Sequence, residues 1–195
     1  MRVVGWAAAL VLMVVTVVPA QAMNWSLGAN LGYSMISPAY TGAEKTNLFG
    51  WPSSTNGVTP GLRIGFTGEN PQHEFYFDTG LSITSTTGIS SRDFIATANY
   101  QYNFGASGSV APYLTAGGGL LLTGGKIEAL DIDYSATSAV LGGGVGIRHK
   151  MGNGHGTLRA EARFDRTTEG KDNDELIIPK ANVFGLKLGF DLWDK

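Results

Sequence analysis

Between residues 25 and 192 the sequence carries eight candidate strands of about ten residues, and in seven of them one face is apolar and the other polar, the signature of half-buried β-strands. In the first, Trp25, Leu27, Ala29, Leu31, Tyr33 and Met35 alternate with Ser26, Gly28, Asn30, Gly32 and Ser34. The second sets Val58, Leu62, Ile64 and Phe66 against Thr59, Gly61, Arg63, Gly65 and Thr67. The third sets Phe75, Phe77, Thr79, Leu81 and Ile83 against Glu74, Tyr76, Asp78, Gly80 and Ser82. The fourth sets Phe94, Ala96, Ala98, Tyr100, Tyr102 and Phe104 against Asp93, Thr97, Asn99, Gln101 and Asn103. Pro112 to Thr123 reads as a fifth strand, but it is so rich in glycine and so uniformly apolar that its facing stays open. The sixth opposes Ala139, Leu141, Val145 and Ile147 to Ser138, Gly142, Gly144, Gly146 and Arg148. The seventh opposes Leu158, Ala160, Ala162 and Phe164 to Thr157, Arg159, Glu161, Arg163 and Asp165, and the eighth opposes Phe184, Leu186, Leu188, Phe190 and Leu192 to Gly185, Lys187, Gly189 and Asp191.

The connections alternate in length. Those at Gly68 to Pro71, Gly105 to Ala111 and His149 to Gly156 are short, and those at Ile36 to Gly57, Thr84 to Ser91, Gly124 to Ala136 and Thr168 to Lys180 are longer. Short turns on one side and longer loops on the other predict an all-β chain, an eight-stranded antiparallel up-and-down transmembrane β-barrel. Alternation alone does not say which face is out, because a soluble barrel gives the same pattern inverted. Aromatic placement decides it. Trp25, Phe66, Phe75, Tyr102, Phe104, Tyr113, Phe190 and Trp193 fall at the strand ends beside the termini and short turns, and Tyr33, Phe94, Phe164 and Phe184 at the opposite ends. Two girdles are what a lipid-embedded barrel needs at its two interfaces.

The polar face is therefore the lumen. It mixes glycine with Arg63, Arg148, Arg159, Arg163 and Lys187 and with Glu74, Asp78, Asp93, Glu161, Asp165 and Asp191. Eight strands leave an interior that side chains can fill, and unpaired buried charge is costly. Opposite charges in near-equal number predict a lumen plugged by ion pairs.

The first 22 residues add an address. Met1-Arg2, an apolar run from Val3 to Val18 and Pro19-Ala20-Gln21-Ala22 have the order of a secretory signal peptide cleaved after Ala22, leaving 23–195 as one barrel domain. The apolar run is too short to span as a helix. No cysteine is present, which excludes disulfides and thiolate metal sites in an exported chain. A formal net charge of −2 excludes a basic footprint for nucleic acid.

These features resemble a known family. The Gly-rich exported chain, Ala111-Pro112-Tyr113-Leu114-Thr115-Ala116-Gly117-Gly118-Gly119, Arg159-Ala160-Glu161-Ala162-Arg163-Phe164 and the aromatic-rich last strand are similar to the small outer-membrane β-barrels related to the OmpA membrane domain and to OmpX. The resemblance implies a place in the cell outer membrane, with outer-membrane lipid, lipopolysaccharide and the barrel-assembly machinery as partners. Such barrels commonly end on an aromatic residue; here Trp193 is followed by Asp194 and Lys195. The chain stops at its last strand, which argues against a peptidoglycan-binding domain. Lipid A deacylases of similar architecture carry a histidine beside a serine late in the barrel, whereas this segment reads Arg163-Phe164-Asp165-Arg166-Thr167-Thr168.

Nothing else in the sequence assembles a catalytic or cofactor site. His149 and His155 flank a turn, His73 begins a strand, and Asp172, Asp174 and Glu175 match no defined calcium loop. Tyr40, Phe49 and Trp51, set among Ser, Thr, Gly and Pro in the first long connection, are candidate contacts to an unknown surface ligand. The expectation is a non-enzymatic, cofactor-free barrel with a structural or surface-interaction role. A lipid-A-modifying enzyme and a narrow solute channel are the alternatives.

Overall fold

The computed structural model describes residues 23–39, 42, 44–49, 61–105, 107–152 and 154–194. The expected leader, Tyr40 and Trp51 lie outside the described residues. The strands are β1 (Asn24–Pro38), β2 (Thr46–Phe49), β3 (Gly61–Thr67), β4 (His73–Thr86), β5 (Ile89–Asn103), β6 (Val110–Ile127), β7 (Ile132–Lys150), β8 (Gly156–Thr167), β9 (Gly170–Asp172), β10 (Glu175–Ile178) and β11 (Ala181–Trp193). Between β6 and β7 one turn of 3-10 helix, Glu128–Leu130, is the only departure from strand and turn among the described elements.

Eight of these strands close on themselves. In the order β1, β3, β4, β5, β6, β7, β8, β11 each is antiparallel to the next, and β11 returns to β1 with Ser26 opposite Trp193 at one end and Pro38 opposite Ala181 at the other. Closure pairs both edges of every barrel strand and removes the exposed ladder that an open sheet presents. Where β3 ends, with Gly61 opposite Asn30, β2 takes over the same edge of β1 and pairs from Tyr33–Phe49 to Ile36–Thr46. The start of β1 and the end of β11 meet at the lower rim, where Asp194 accepts from the Trp25 amide through its carboxylate and donates its own amide to the Trp25 carbonyl.

Burial alternates along most of the barrel strands, lapsing in the glycine-rich middle of β6 and β7, and its sign is inverted relative to a protein in water. Leu31, Leu62, Leu114, Ile147 and Leu188 are exposed on the outside, whereas Arg63, Glu74, Arg148, Arg163 and Asp191 are buried within. No helix of the described residues is long and apolar enough to cross a membrane; any crossing belongs to the strands.

The longer connections differ from the sequence expectation. Thr84 to Ser91 is not a loop, because β4 and β5 stay in register out to Thr86–Ile89. They join through Thr87-Gly88, with Gly88 at φ 80°. Gly124 to Ala136 likewise lies mostly in β6 and β7, which pair out to Ile127–Ile132. Thr168 to Lys180 contains the β9–β10 hairpin, whose Asn173 and Asp174 both have positive φ, as a type I′ turn requires. Backbone pairing thus continues past the point where apolar alternation stops.

Candidate functional site

The lumen holds a dense set of buried ionic contacts. At the end where β1 begins and β11 finishes, Glu74 receives Arg63 Nη2 at 2.5 Å and Arg148 Nη1 at 3.4 Å. Arg63 also donates to Gln101 Oε1 at 3.0 Å, and its guanidinium carbon lies 3.4 Å from the centre of the Tyr76 ring, a cation–π stack. Arg159 grips Asp191 with two nitrogens, Nη2 standing 2.9 Å from Oδ1, and the same nitrogen donates to Asn30 Oδ1 at 2.9 Å.

A second group lies toward the opposite end. Arg163 Nε is 2.8 Å and 2.9 Å from the two oxygens of Asp165, and Nη2 donates to Asn99 Oδ1 at 2.9 Å. Lys187 Nζ is 3.3 Å from Asp78 Oδ2, while Asn30 Nδ2 donates to Asp78 Oδ1 at 3.0 Å and so links the two groups. Glu161 accepts from Tyr113 Oη at 3.0 Å, and its other oxygen is 3.9 Å from Arg163. Asp93 is buried but has no ion-pair partner among the described residues.

Glycine makes this crowding feasible. Arg159 is cross-strand to Arg148 on one side and Gly189 on the other. A Cβ at Gly189 would stand 2.5 Å from Asn30 Oδ1 and 2.7 Å from Arg159 Nη2, so the missing side chain is what lets Arg159 turn away from Arg148 toward Asn30 and Asp191. The uncharged members Asn30, Tyr76, Asn99, Gln101 and Asn103 do not stand out in the sequence by charge, yet they share the parity of the charged residues. That parity is the signal that finds them.

One girdle assignment is corrected. Tyr113 is not at the lipid interface; it is buried in the lumen, 1% exposed. In register it lies between Asn103 of β5 and Gly146 of β7, so Pro112, Leu114 and Ala116 face out and Tyr113 and Thr115 face in. The other seven aromatics of that girdle are exposed or half-buried on the outer side. Tyr102 and Phe104 meet edge to face at 4.9 Å, the Phe75 and Tyr100 rings are tilted against each other at 5.2 Å, and His73 Nδ1 is 2.6 Å from Tyr100 Oη. At the far rim Tyr33, Phe94, Phe164 and Phe184 are exposed, with Phe164 directly opposite Phe184. A closed wall, apolar outside, ionic inside and belted by aromatics at both ends, is built for lipid.

The profile of the outer membrane protein beta-barrel domain matches residues 7–191. The chain belongs to that family. This outer-membrane barrel shares its fold with solved structures. One is Neisserial surface protein A, with a TM-score of 0.58 and 16% identity over 86% of this chain and 96% of that one. Another is a major outer membrane protein of Thermus thermophilus, with a TM-score of 0.52 and 12% identity over 89% of this chain and 100% of that one. No curated protein matches the sequence. The barrel resides in the outer membrane.

Other sequence-level candidates acquire positions. Phe49 lies in β2, its backbone opposite Tyr33. Asp172 accepts from the Ser135 amide at 2.8 Å and ties the β9–β10 hairpin to β7. Among the described residues no group of three or more metal-ligating side chains converges.

Proposed function

We propose that this protein is a non-enzymatic outer-membrane barrel with a plugged lumen, acting at the cell surface through the parts that rise beyond the membrane. The observation that carries the reading is the chain of contacts from Arg148 through Glu74, Arg63, Asp191, Arg159, Asn30 and Asp78 to Lys187. It links side chains from β1, β3, β4, β7, β8 and β11 across the bore. A cavity beside Asn30, Asp78 and Lys187 holds about 10 Å³, at most one water. The surface role rests on β4 to β7, whose pairing continues past the outer girdle, and on the β9–β10 hairpin bound to them.

The leader is proposed to be removed after Ala22 during export, the assembly machinery to read the last strand, and the outer parts to meet a surface ligand. Reconstitution in a planar bilayer tests the plug: the wild-type barrel is expected to pass no measurable current, and ohmic conductance would refute the plug. Incubation with purified lipopolysaccharide tests the absence of catalysis, and release of fatty acid would overturn it.

A further inference from the structure

The outward side of the upper rim carries a repeated pattern that the lumen does not use. Arg92-Asp93-Phe94 on β5 and Phe164-Asp165-Arg166 on β8 are the same triplet read in opposite chain directions, on strands that run in opposite directions through the wall. In both, the aspartate turns inward and is buried while the phenylalanine and the arginine are exposed. Each arginine therefore stands on the outer face, one outward position beyond its girdle phenylalanine.

A lysine of the adjoining strand or its entry follows each. Arg92 is opposite Gly124, two residues before Lys126, and Arg166 is opposite Asn182, two residues after Lys180. Arginine and lysine are thus diagonal neighbours on one face, with Cα atoms about 7–8 Å apart. Neither arginine forms an ion pair among the described residues, and Lys126 has only solvent-exposed contacts to Asp131 and Asp133 at 3.8 Å and 3.9 Å. A Cβ at Gly124 would lie 3.5 Å from Arg92 Nε, in ordinary contact, so the arginine side chain runs close along the wall over this position.

We propose that Arg92 with Lys126, and Arg166 with Lys180, bind the phosphate groups of the phosphorylated glycolipid in the outer leaflet. A guanidinium forms two parallel bonds to a phosphate and a lysine adds a point charge, and both stand where the girdle places the headgroups. The proposal rests on the outer-membrane placement and is independent of the plugged lumen.

The test titrates folded protein in zwitterionic detergent micelles with bisphosphorylated lipid A, with the same lipid enzymatically dephosphorylated, and with inorganic phosphate as competitor. Bound lipid is counted by native mass spectrometry. Wild type is expected to prefer the phosphorylated lipid. Arg92→Gln and Arg166→Gln should each weaken its own site about fivefold, the loss expected for one basic group at an anionic leaflet, and leave the other site unchanged, so that only the double variant loses affinity at both. Arg92→Lys keeps the charge but not the paired bonds and should bind between wild type and Arg92→Gln, and Lys126→Gln and Lys180→Gln should lose part of the binding. These side chains point away from the lumen, so heat-modifiable gel mobility should be unchanged. Equal binding of both lipids, a double variant that binds like wild type, or displacement by millimolar inorganic phosphate would overturn the assignment, the last by making the site one for free phosphate.

Discussion

Tyr113 of β6 fills the space that Gly146 of β7 leaves in the lumen, and its hydroxyl donates to Glu161 one strand further on. A Cβ at position 146 would stand 2.5 Å from both the Tyr113 hydroxyl and the Ala160 carbonyl. Gly146→Ala must therefore displace the ring or the wall. Overpacking of this kind costs about 1–3 kcal/mol. Tyr113→Phe keeps the packing and removes only the bond to Glu161, at about 1–3 kcal/mol for the buried acceptor left behind. If the two share one cause, the double variant should cost less than the sum of the singles, measured by urea unfolding in lipid vesicles; strict additivity would separate the ring from the glycine.

The facing of β6 shows where alternation runs out as a source of information. Gly117, Gly118 and Gly119 break the parity signal in the middle of the strand, so the sequence permits Tyr113 on either side. Register against Asn103 and Gly146 settles it. The opposite case is β8, where every second residue from Arg159 to Asp165 is charged and its facing follows from parity. The extensions of β4 to β7 were illegible for another reason. Beyond the girdle neither face needs to be apolar, so the alternation stops while the backbone ladder continues. Partner choice is a third limit: Arg63 is directly opposite Asp78, yet its ion pairs go to Glu74 and Asp191, because long side chains lean across the bore.

Arg163 and Glu161 are neighbours on one strand face but carry unequal loads. Arg163 holds Asp165 with two close contacts and also reaches Asn99, whereas Glu161 has one hydrogen bond and a 3.9 Å contact. Arg163→Ala strands the Asp165 carboxylate and is expected to cost about 3–5 kcal/mol. Glu161→Ala should cost less, because Arg163 keeps Asp165. Equilibrium unfolding of the two variants gives the ranking, and equal losses would mean that the ion pairs do not set the stability of the lumen.

The outer wall should respond to charge by depth. Leu188 lies between Phe184 and Phe190, the girdle residues of its own strand, and Leu192 lies past Phe190 at the lower rim. Leu188→Arg is expected to destabilise the folded barrel by about 2–4 kcal/mol, and Leu192→Arg by about 0–1 kcal/mol. The comparison is made by refolding into vesicles of matched thickness. A reversed order would shift the membrane boundaries along the strands.

Asp93 offers the sharpest contrast within the lumen. It is buried, though less completely than Asp191, at 8% exposed against 0%, but it has no ion pair among the described residues, whereas Asp191 meets both Arg159 and Arg63. A buried carboxylate without a cation carries its desolvation cost uncompensated, so Asp93→Asn, which keeps the shape and removes the charge, should leave stability unchanged or raise it. Asp191→Asn has the opposite sign, because it leaves two buried guanidinium groups short of negative charge, and a loss of about 3–5 kcal/mol is expected. Both are read from denaturant midpoints at neutral pH in the same vesicles. A large loss for Asp93→Asn would show that its charge has a stabilising partner in the folded barrel, and the electrostatic balance at the outer end of the bore would then have to be drawn again.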